Sequence, residues 1–496
     1  MSSSGGATDI PVKERALVFQ GGGSLGAYEA GAYKALNELL SAKDEKEGKK
    51  QSTTFNIIAG TSIGAMNAAV LTSYVVENRT YEGSAERLVE FWEYLSKESR
   101  VETNPFFSRW WEYWHGLSKT IATGEAARRY YSAKEFALYG APNVFSPLAP
   151  ILDNRFFDFF NIWFRFSNAP LKRSLEKFAK FPIGTNHENS QPRLILVAVD
   201  VASGLPVTFD SYPKEDGSRK TEYGKVIKEQ NKDVGFEYVI RYDDGITADQ
   251  VMASGSLPVN FEYSTLEVES YDPEHSNRQD EVNKKISGIN SGYRKEMRYF
   301  WDGGLMSNTP LSQLVLLHRR YWYLQRGLKD KVPALGVCVI NVHPTRQEEI
   351  PMDHDGVLNR NNDIAFSDKS HRDEEILLLI SDYVELVREL IRLAKRSGVK
   401  DDVINSLMNQ MTSYHGQFLK PRQYKEIVEG VFDIAEIIRI ERKNNQDTIS
   451  DKTFDFSEGT IRQLLDEGYK DSVDFINNFI QTEPGKKYAK YAMKQK

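Results

Sequence analysis

Cysteine is almost absent: the 496 residues contain one, Cys338. A single thiol excludes an internal disulfide framework and any multi-cysteine metal site. Its setting, Ala334-Leu-Gly-Val-Cys338-Val-Ile340, is apolar and predicts a buried strand residue rather than a reactive thiol. A basic excess is lacking too. The formal net charge of -6 offers none of the positive footprint that nucleic acid calls for. No apolar run approaches the roughly 18 residues that span a bilayer. The stretch Met1-Ser-Ser-Ser-Gly-Gly-Ala-Thr8 holds no apolar signal core, so the sequon Asn78-Arg79-Thr80 reads as chance. These absences predict a cytoplasmic protein, with peripheral contact at a membrane surface left open and the oligomeric state undetermined.

What is present is enough for a large core. Hydrophobic residues make up 40% and charged residues 27%, over a length that allows two or three units or one domain with insertions. Residues 1–13 read as a flexible start. Arg15-Ala-Leu-Val-Phe-Gln20 then predicts a buried strand, Gly21-Gly-Gly-Ser-Leu-Gly26 a glycine loop, and the stretch from Ala27 to about Leu40 a helix. Phe55-Asn-Ile-Ile-Ala predicts a second strand, running into Gly60-Thr61-Ser62-Ile63-Gly64 and an Ala-rich helix. Such a βαβα unit predicts parallel strands in an α/β sheet with helices on its faces.

Gly-x-Ser-x-Gly between a strand and a helix is a nucleophile elbow: the serine oxygen projects from the sheet edge. The helix behind it aims free N–H groups and the positive end of its dipole at that oxygen. The glycine loop admits two readings. Gly21, Gly23 and Gly26 match the dinucleotide fingerprint Gly-x-Gly-x-x-Gly. That reading wants an acid at the tip of the second strand to hold a ribose, and here the tip is Gly60-Thr61-Ser62. The other reading is an oxyanion hole, whose backbone N–H groups meet a developing alkoxide. The elbow on the next strand favours the second.

Farther on, residues 76–184 form an insertion whose stretch 104–166 is crowded with aromatics, such as Trp110-Trp111 and Phe156-Phe157. It predicts a helical subdomain with its own aromatic core, compatible with a cap over an acyl pocket or a lipid interface. Leu194-Ile-Leu-Val-Ala-Val-Asp200 predicts a strand covered on both faces, with Leu205–Asp210 returning as its hairpin partner. Polar, lysine-rich sequence to about Asp244 and a second polar insertion over 270–298 carry no predicted element. Between them, Ile246 to Ala253 predicts a short helix. Arg298–Asp302 predicts a strand ending in Asp302-Gly303-Gly304, followed by Asn308-Thr309-Pro310 and a helix. Asp302 thereby stands at the same kind of strand tip as Ser62, where active sites of open α/β sheets gather. A buried strand over 332–343 follows. Residues 346–496 predict a mainly helical extension. It includes a strongly amphipathic helix whose stripe runs from Ile376 to Ala394, a last edge strand at Ala435–Ile440, and a last helix from Ser457. No chemistry is visible in it, and packing or an oligomer contact is its expected role.

A serine nucleophile needs a base. In α/β-hydrolase order the histidine would follow Asp302, and His343 at a predicted strand end is the best such candidate. Nothing around it forms a site-like turn, so Asp302 is the stronger partner for Ser62. A carboxylate of ordinary pKa near 4 is a poor base, so the site should be partly desolvated.

Taken in order, Gly21–Gly26, Gly60–Gly64, Ala253-Ser-Gly-Ser-Leu-Pro258 and Asp302–Pro310 resemble the motifs of the patatin-like phospholipases. The resemblance covers a catalytic domain of residues 14–345. It implies a three-layer α/β fold and a Ser–Asp dyad lipid acyl hydrolase with no metal or other cofactor. Ser62 would be the nucleophile and Asp302 the base. Gly21, Gly22, Gly23, Ser24 and Gly26 would form the oxyanion hole. Gly60, Thr61, Ile63 and Gly64 would build the elbow, and Gly303, Gly304, Asn308 and Pro310 the acid motif. The extension, with Phe454-Asp-Phe-Ser457 leading into a helix, is similar to that of a bacterial-type branch. Leu25 departs from the pattern, since many members carry Arg or Lys there, and this puts a phospholipid headgroup preference in doubt. The leading expectation is thus an esterase or lipase of acyl lipids, with phospholipase A activity implied by the resemblance. A polyester depolymerase using the same dyad, a non-catalytic lipid-binding protein and a dinucleotide-binding oxidoreductase are the alternatives.

Overall fold

The computed structural model describes residues 10–46, 54–99, 124–147, 165–229, 232–272, 292–412, 422–431, 433–443 and 449–481. Most of the aromatic stretch and most of the second polar insertion lie outside these residues.

One mixed sheet organises the chain. Its strands are β1 (Lys13–Phe19), β2 (Ile57–Thr61), β5 (Arg193–Asp200), β6 (Leu205–Asp210), β7 (Lys220–Glu229), β8 (Lys232–Arg241), β9 (Ser264–Tyr271), β10 (Tyr293–Asp302), β11 (Ala334–Asn341) and β12 (Ile434–Glu441). A separate short pair, β3 (Ser146–Pro147) and β4 (Phe166–Ser167), joins parts of the insertion. The order is β12-β11-β1-β2-β5-β10-β9-β8-β7, with β6 also paired to β5. Strands β12, β11, β1, β2 and β5 run parallel, and β6 to β10 join by antiparallel pairings.

The helices are α1 (Gly26–Lys46), α2 (Ile63–Asn78), α3 (Ser84–Leu95), α4 (Gly124–Tyr139), α5 (Ala169–Phe178), α6 (Ala248–Ser254), α7 (Leu311–Arg320), α8 (His354–Phe366), α9 (Ser370–Arg396), α10 (Asp401–Met408), α11 (Tyr424–Val428) and α12 (Glu458–Gln481). Alternate strand residues point to opposite faces of a sheet, and here both faces are buried. Leu17, Phe19, Ile58, Leu194 and Leu196 pack into one core with residues of α1, α2 and α3, including Phe91 and Trp92. Ala16, Val18, Ile57, Ile195 and Val337 pack into a second with Leu311, Leu314 and Val315 of α7. The result is the three-layer α/β arrangement expected from the sequence, and Cys338 is buried within it.

Two features depart from the expected pattern. The polar stretch before Asp244 forms the long hairpin β7–β8, and the described end of the second insertion belongs to β10, paired with β9. Their lysines and glutamates pair across strands, as between Lys295 and Glu267 at 2.6 Å, so a charged surface disguises regular β-structure. The C-terminal extension, meanwhile, is integral to the core. β12 pairs in parallel with β11, and α12 lies on α1 at backbone contact. A Cβ at Gly31 would overlap the Leu465 carbonyl, and one at Gly468 the Tyr28 carbonyl.

Candidate active site

Ser62 sits between β2 and α2 with φ 57° and ψ -128°, a strained conformation for a residue bearing a Cβ. Its surroundings impose this. The backbone is so close that a Cβ at Gly60 would overlap the Gly64 carbonyl, and one at Gly64 would lie 2.6 Å from the Phe19 carbonyl oxygen. The Ser62 N–H donates to Ser254 Oγ at 3.0 Å, and that hydroxyl donates to the Val197 carbonyl at 2.6 Å. Thr61 Oγ1 donates to the Ser307 carbonyl at 2.9 Å, tying the elbow to the acid loop. Ile63 begins α2 and reaches the cavity wall.

Some 240 residues separate Ser62 from Asp302 along the chain, yet β5 brings them together. Thr61 stands opposite Val197 and Asp302 opposite Ala198, adjacent positions on one strand. The Ser62 hydroxyl lies close enough to the Asp302 carboxylate to favour its ionised form. The Gly304 N–H donates to Asp302 Oδ1 at 2.7 Å. Gly303 packs so tightly that a Cβ would overlap the Val197 carbonyl. Burial raises the Asp302 pKa to about 6, with the neighbouring Ser62 hydroxyl and the Gly304 N–H opposing the rise. The desolvation that a carboxylate base requires is therefore built in.

The glycine loop lies directly over the pair, and a Cβ on Gly21 would come within 2.8 Å of the Ser62 Cβ. Its N–H groups are not equivalent. Gly21 N–H donates to Asn308 Oδ1 at 3.1 Å, while Asn308 Nδ2 donates to the Gly21 and Phe366 carbonyls at 3.2 and 2.6 Å. Gly26 N–H turns back to the Gly23 and Ser24 carbonyls. Ser24 Oγ donates to the Lys452 carbonyl at 2.9 Å. Gly22 and Gly23 line the cavity, and their N–H groups have no partner among the described residues. Pro310 caps α7 and does not line the cavity, and Leu25 is buried outside its wall.

A cavity of about 420 Å³ opens over Ser62 and Asp302. Met66, Val144, Phe145, Leu171, Phe261 and Phe454 give it a mainly apolar wall suited to a hydrocarbon chain. One side comes from the C-terminal extension, through Asn362 and Phe366 of α8 and the segment Ser450–Phe456. That contribution was not legible in the sequence, where Phe454-Asp-Phe-Ser457 marks a resemblance of the extension and nothing ties it to a cavity. Gly23 (φ 57°) owes its identity to it, since a Cβ there would overlap the Thr453 carbonyl.

His343 also lines the cavity, but as part of a buried ion cluster rather than a triad. Its Nδ1 lies 3.2 Å from Asp363 Oδ1, and Lys452 Nζ donates to both Asp363 oxygens at 2.7 and 2.9 Å. Burial pushes the His343 pKa down, and the Lys452 charge adds to that while Asp363 opposes it. Among the described residues it makes no hydrogen bond to Ser62 or Asp302, and no group of three or more His, Cys, Asp or Glu side chains is placed to hold a metal.

The family model described as Patatin-like phospholipase matches residues 17–315, more than half the chain. The chain belongs to the patatin-like phospholipase family, whose members are lipid acyl hydrolases. No curated protein matches it. Among solved structures, it aligns with the crystal structure of VipD from Legionella pneumophila over 92% of this chain and 67% of that one. The identity is 10% and the TM-score 0.22, a likeness that carries no weight on its own. Among the described residues no helix is long and apolar enough to cross a membrane.

Proposed function

We propose that this protein cleaves carboxyl esters of lipids through a Ser62–Asp302 dyad and an acyl-enzyme intermediate. The observation that carries the reading is the placement of Ser62 beside a buried Asp302, both lining one mainly apolar cavity. Ser62 Oγ attacks the acyl carbonyl carbon as Asp302 takes the hydroxyl proton. The carbonyl oxygen, now negative, is met by the N–H groups of Gly22 and Gly23, whose directions are set in advance by the loop. Collapse of the tetrahedral adduct breaks the ester C–O bond, and the proton on Asp302 passes to the departing alcohol. Water then attacks the acyl-enzyme, gives its proton to Asp302, and releases the carboxylic acid as Ser62 recovers its own.

The cavity favours an acyl chain as the recognised part of the substrate. Within this reading the enzyme is of the phospholipase A or esterase type, acts in the cytoplasm or at a membrane surface, and draws its specificity from the hydrocarbon. The test is labelling with a fluorophosphonate probe alongside hydrolysis of short and long p-nitrophenyl esters. Ser62→Ala should abolish labelling and turnover, and Asp302→Ala should reduce both by about a hundred-fold or more. Equal labelling of the wild type and Ser62→Ala would overturn the assignment.

A further inference from the structure

The cavity over Ser62 has two unlike ends. At one, Phe145 packs with Phe261, Phe454 and Phe456 at ring-centroid distances of 5.7 to 6.0 Å, and Met66 stands one turn along α2 from the serine. At the other, the lining residues are His343, Asn362, Ser450, Asp451 and Lys452. This second group is bound together. Asn362 Nδ2 donates to the Ser450 carbonyl at 3.4 Å, and Lys452 Nζ donates to both oxygens of Asp363. Its charges cancel locally, since Asp363 offsets Lys452 and Lys134 pairs with Asp451. The polar end therefore offers hydrogen bonds rather than net charge.

One polar atom at that end is left over. His343 is only 4% exposed, yet its Nε2 has no hydrogen-bond partner among the described residues. Nor is that nitrogen sealed off from the cavity the residue lines. A Cβ on Gly22 would lie 3.4 Å from it, whereas one on Gly21 would lie 2.8 Å from the Ser62 Cβ. The order across the site is thus Ser62, Gly21, Gly22, His343. The rest of the ring is fixed. Gln20 Oε1 accepts the His343 N–H at 3.0 Å, Asp363 Oδ1 lies 3.2 Å from Nδ1, and the Phe366 ring lies alongside at 5.9 Å between centroids. These partners also decide which nitrogen carries the proton. Burial raises the Asp363 pKa, but the His343 hydrogen bond and the Lys452 charge outweigh it and hold the pKa below the ordinary value. Asp363 is then a carboxylate and can only accept. Its hydrogen bond with the ring requires the proton on Nδ1. Burial keeps the imidazole neutral near pH 7, so Nε2 presents a lone pair to the cavity. A buried acceptor left without a donor is costly, and the donor it suits is an O–H brought in through the cavity.

We infer that the polar end of the cavity is the subsite for the alcohol part of the substrate, and that His343 Nε2 accepts a hydrogen bond there from a free hydroxyl on that alcohol. The inference rests on the dyad reading and extends it. With the acyl chain among the phenylalanines and its carbonyl oxygen at Gly22 and Gly23, the polar end is what remains for the alcohol. The substrate class is an ester of a polyol that keeps an unesterified hydroxyl close to the scissile bond. His343 is a specificity-determining residue in this scheme, and Asp363 and Lys452 hold it in the accepting tautomer.

The test measures kcat/KM of the full chain for 1-butyrylglycerol, 2,3-dimethoxypropyl butyrate and propyl butyrate, with fluorophosphonate labelling of Ser62 as the check that the site is assembled. The wild type should prefer the glycerol ester about tenfold, the scale of one hydrogen bond to a buried acceptor, because methylation keeps the oxygens and removes the donor. His343→Asn retains an N–H for Asp363 but puts no acceptor at the Nε2 position, and should lose the preference. His343→Gln carries a carbonyl oxygen to about that position and should keep much of it. Similar values for all three esters in a wild type that labels would overturn the inference, whatever the variants do. So would a His343→Asn protein that keeps the full preference. A preference for ethyl 3-hydroxybutyrate over ethyl butyrate that depends on His343 would put the hydroxyl on the acyl side and overturn the alcohol assignment. A wild type that neither labels nor hydrolyses any ester would instead overturn the dyad reading, and the subsite with it.

Discussion

A buried carboxyl group keeps its proton to a higher pH than one in water, and Asp302 keeps its own up to about 6. Two consequences follow at that single residue. In the proposed dyad Asp302 acts as base only when ionised, so on that reading turnover should rise along an acid limb centred near pH 6 and level off above it. As a part of the fold, it is easier to accommodate protonated. Its folded pKa lies above the ordinary 3.8, so the stability it lends is fully present below about pH 4 and is lost as pH rises through 6. Near pH 7 the ionised carboxylate lowers stability by on the order of 3 kcal/mol, from about 1.4 kcal/mol per pH unit. Asp302→Asn should therefore abolish most turnover yet raise the melting temperature at pH 7, with the gain vanishing near pH 4. Thermal melts of the two proteins across that range check it. The position of Asp302, after an apolar strand and before two glycines, was legible in the sequence. Ser254, which accepts the Ser62 N–H, stands inside the motif Ala253–Pro258, but its role depends on β5 passing between the two segments.

Among the elements, the buried strands were the easiest to foresee. β1, β2, β5 and β11 each contain an uninterrupted apolar stretch, and a strand buried on both faces has little freedom to be written otherwise. The hairpin β7–β8 was not foreseen, because alternation between lysine, glutamate and tyrosine on an exposed antiparallel pair resembles a polar loop. Helix α3 falls inside the predicted insertion, yet it serves the main core. Trp92 is fully buried, donates from Nε1 to Asn67 Oδ1 at 2.9 Å, and stacks on Phe456 with ring centroids 6.3 Å apart. Trp92→Ala would leave a large cavity and an unpaired amide oxygen, and should reduce stability by about 4 kcal/mol. Chemical denaturation measures this, and a change under about 1 kcal/mol would mean that Phe456 and its neighbours close the gap.

Over the whole molecule, the division between a catalytic domain and an extension, natural from the motifs, does not describe the cavity. The extension was expected to be mainly helical and is, and its edge strand is present as β12. What no spacing could reveal is that the segment around Thr453 returns across the sheet to meet the glycine loop. Such a contact depends on the path of α8, β12 and α12 together. Gly23→Ala tests it. The added methyl would press on the Thr453 carbonyl at a positive φ that alanine disfavours, and should shift the N–H of residue 23 from its line to the cavity. Turnover should fall about a hundred-fold, the scale of losing one oxyanion donor, while the fold, read by circular dichroism, persists. An alanine variant with wild-type turnover would show that the loop does not need this buttress.

The placement of that wall also sets an order in time. Ser62, the glycine loop and Asp302 all leave the ribosome before Lys452 and Thr453 have been joined to the chain. At ordinary synthesis speeds the interval after β11 is roughly ten seconds. During it Ser62, the nucleophile of the proposed dyad, exists without the wall of its pocket and without the backbone that braces its loop. On the proposed reading, a nascent or prematurely terminated chain is accordingly a poor lipase, and competence to hydrolyse lipid arrives only with the segment that closes the fold.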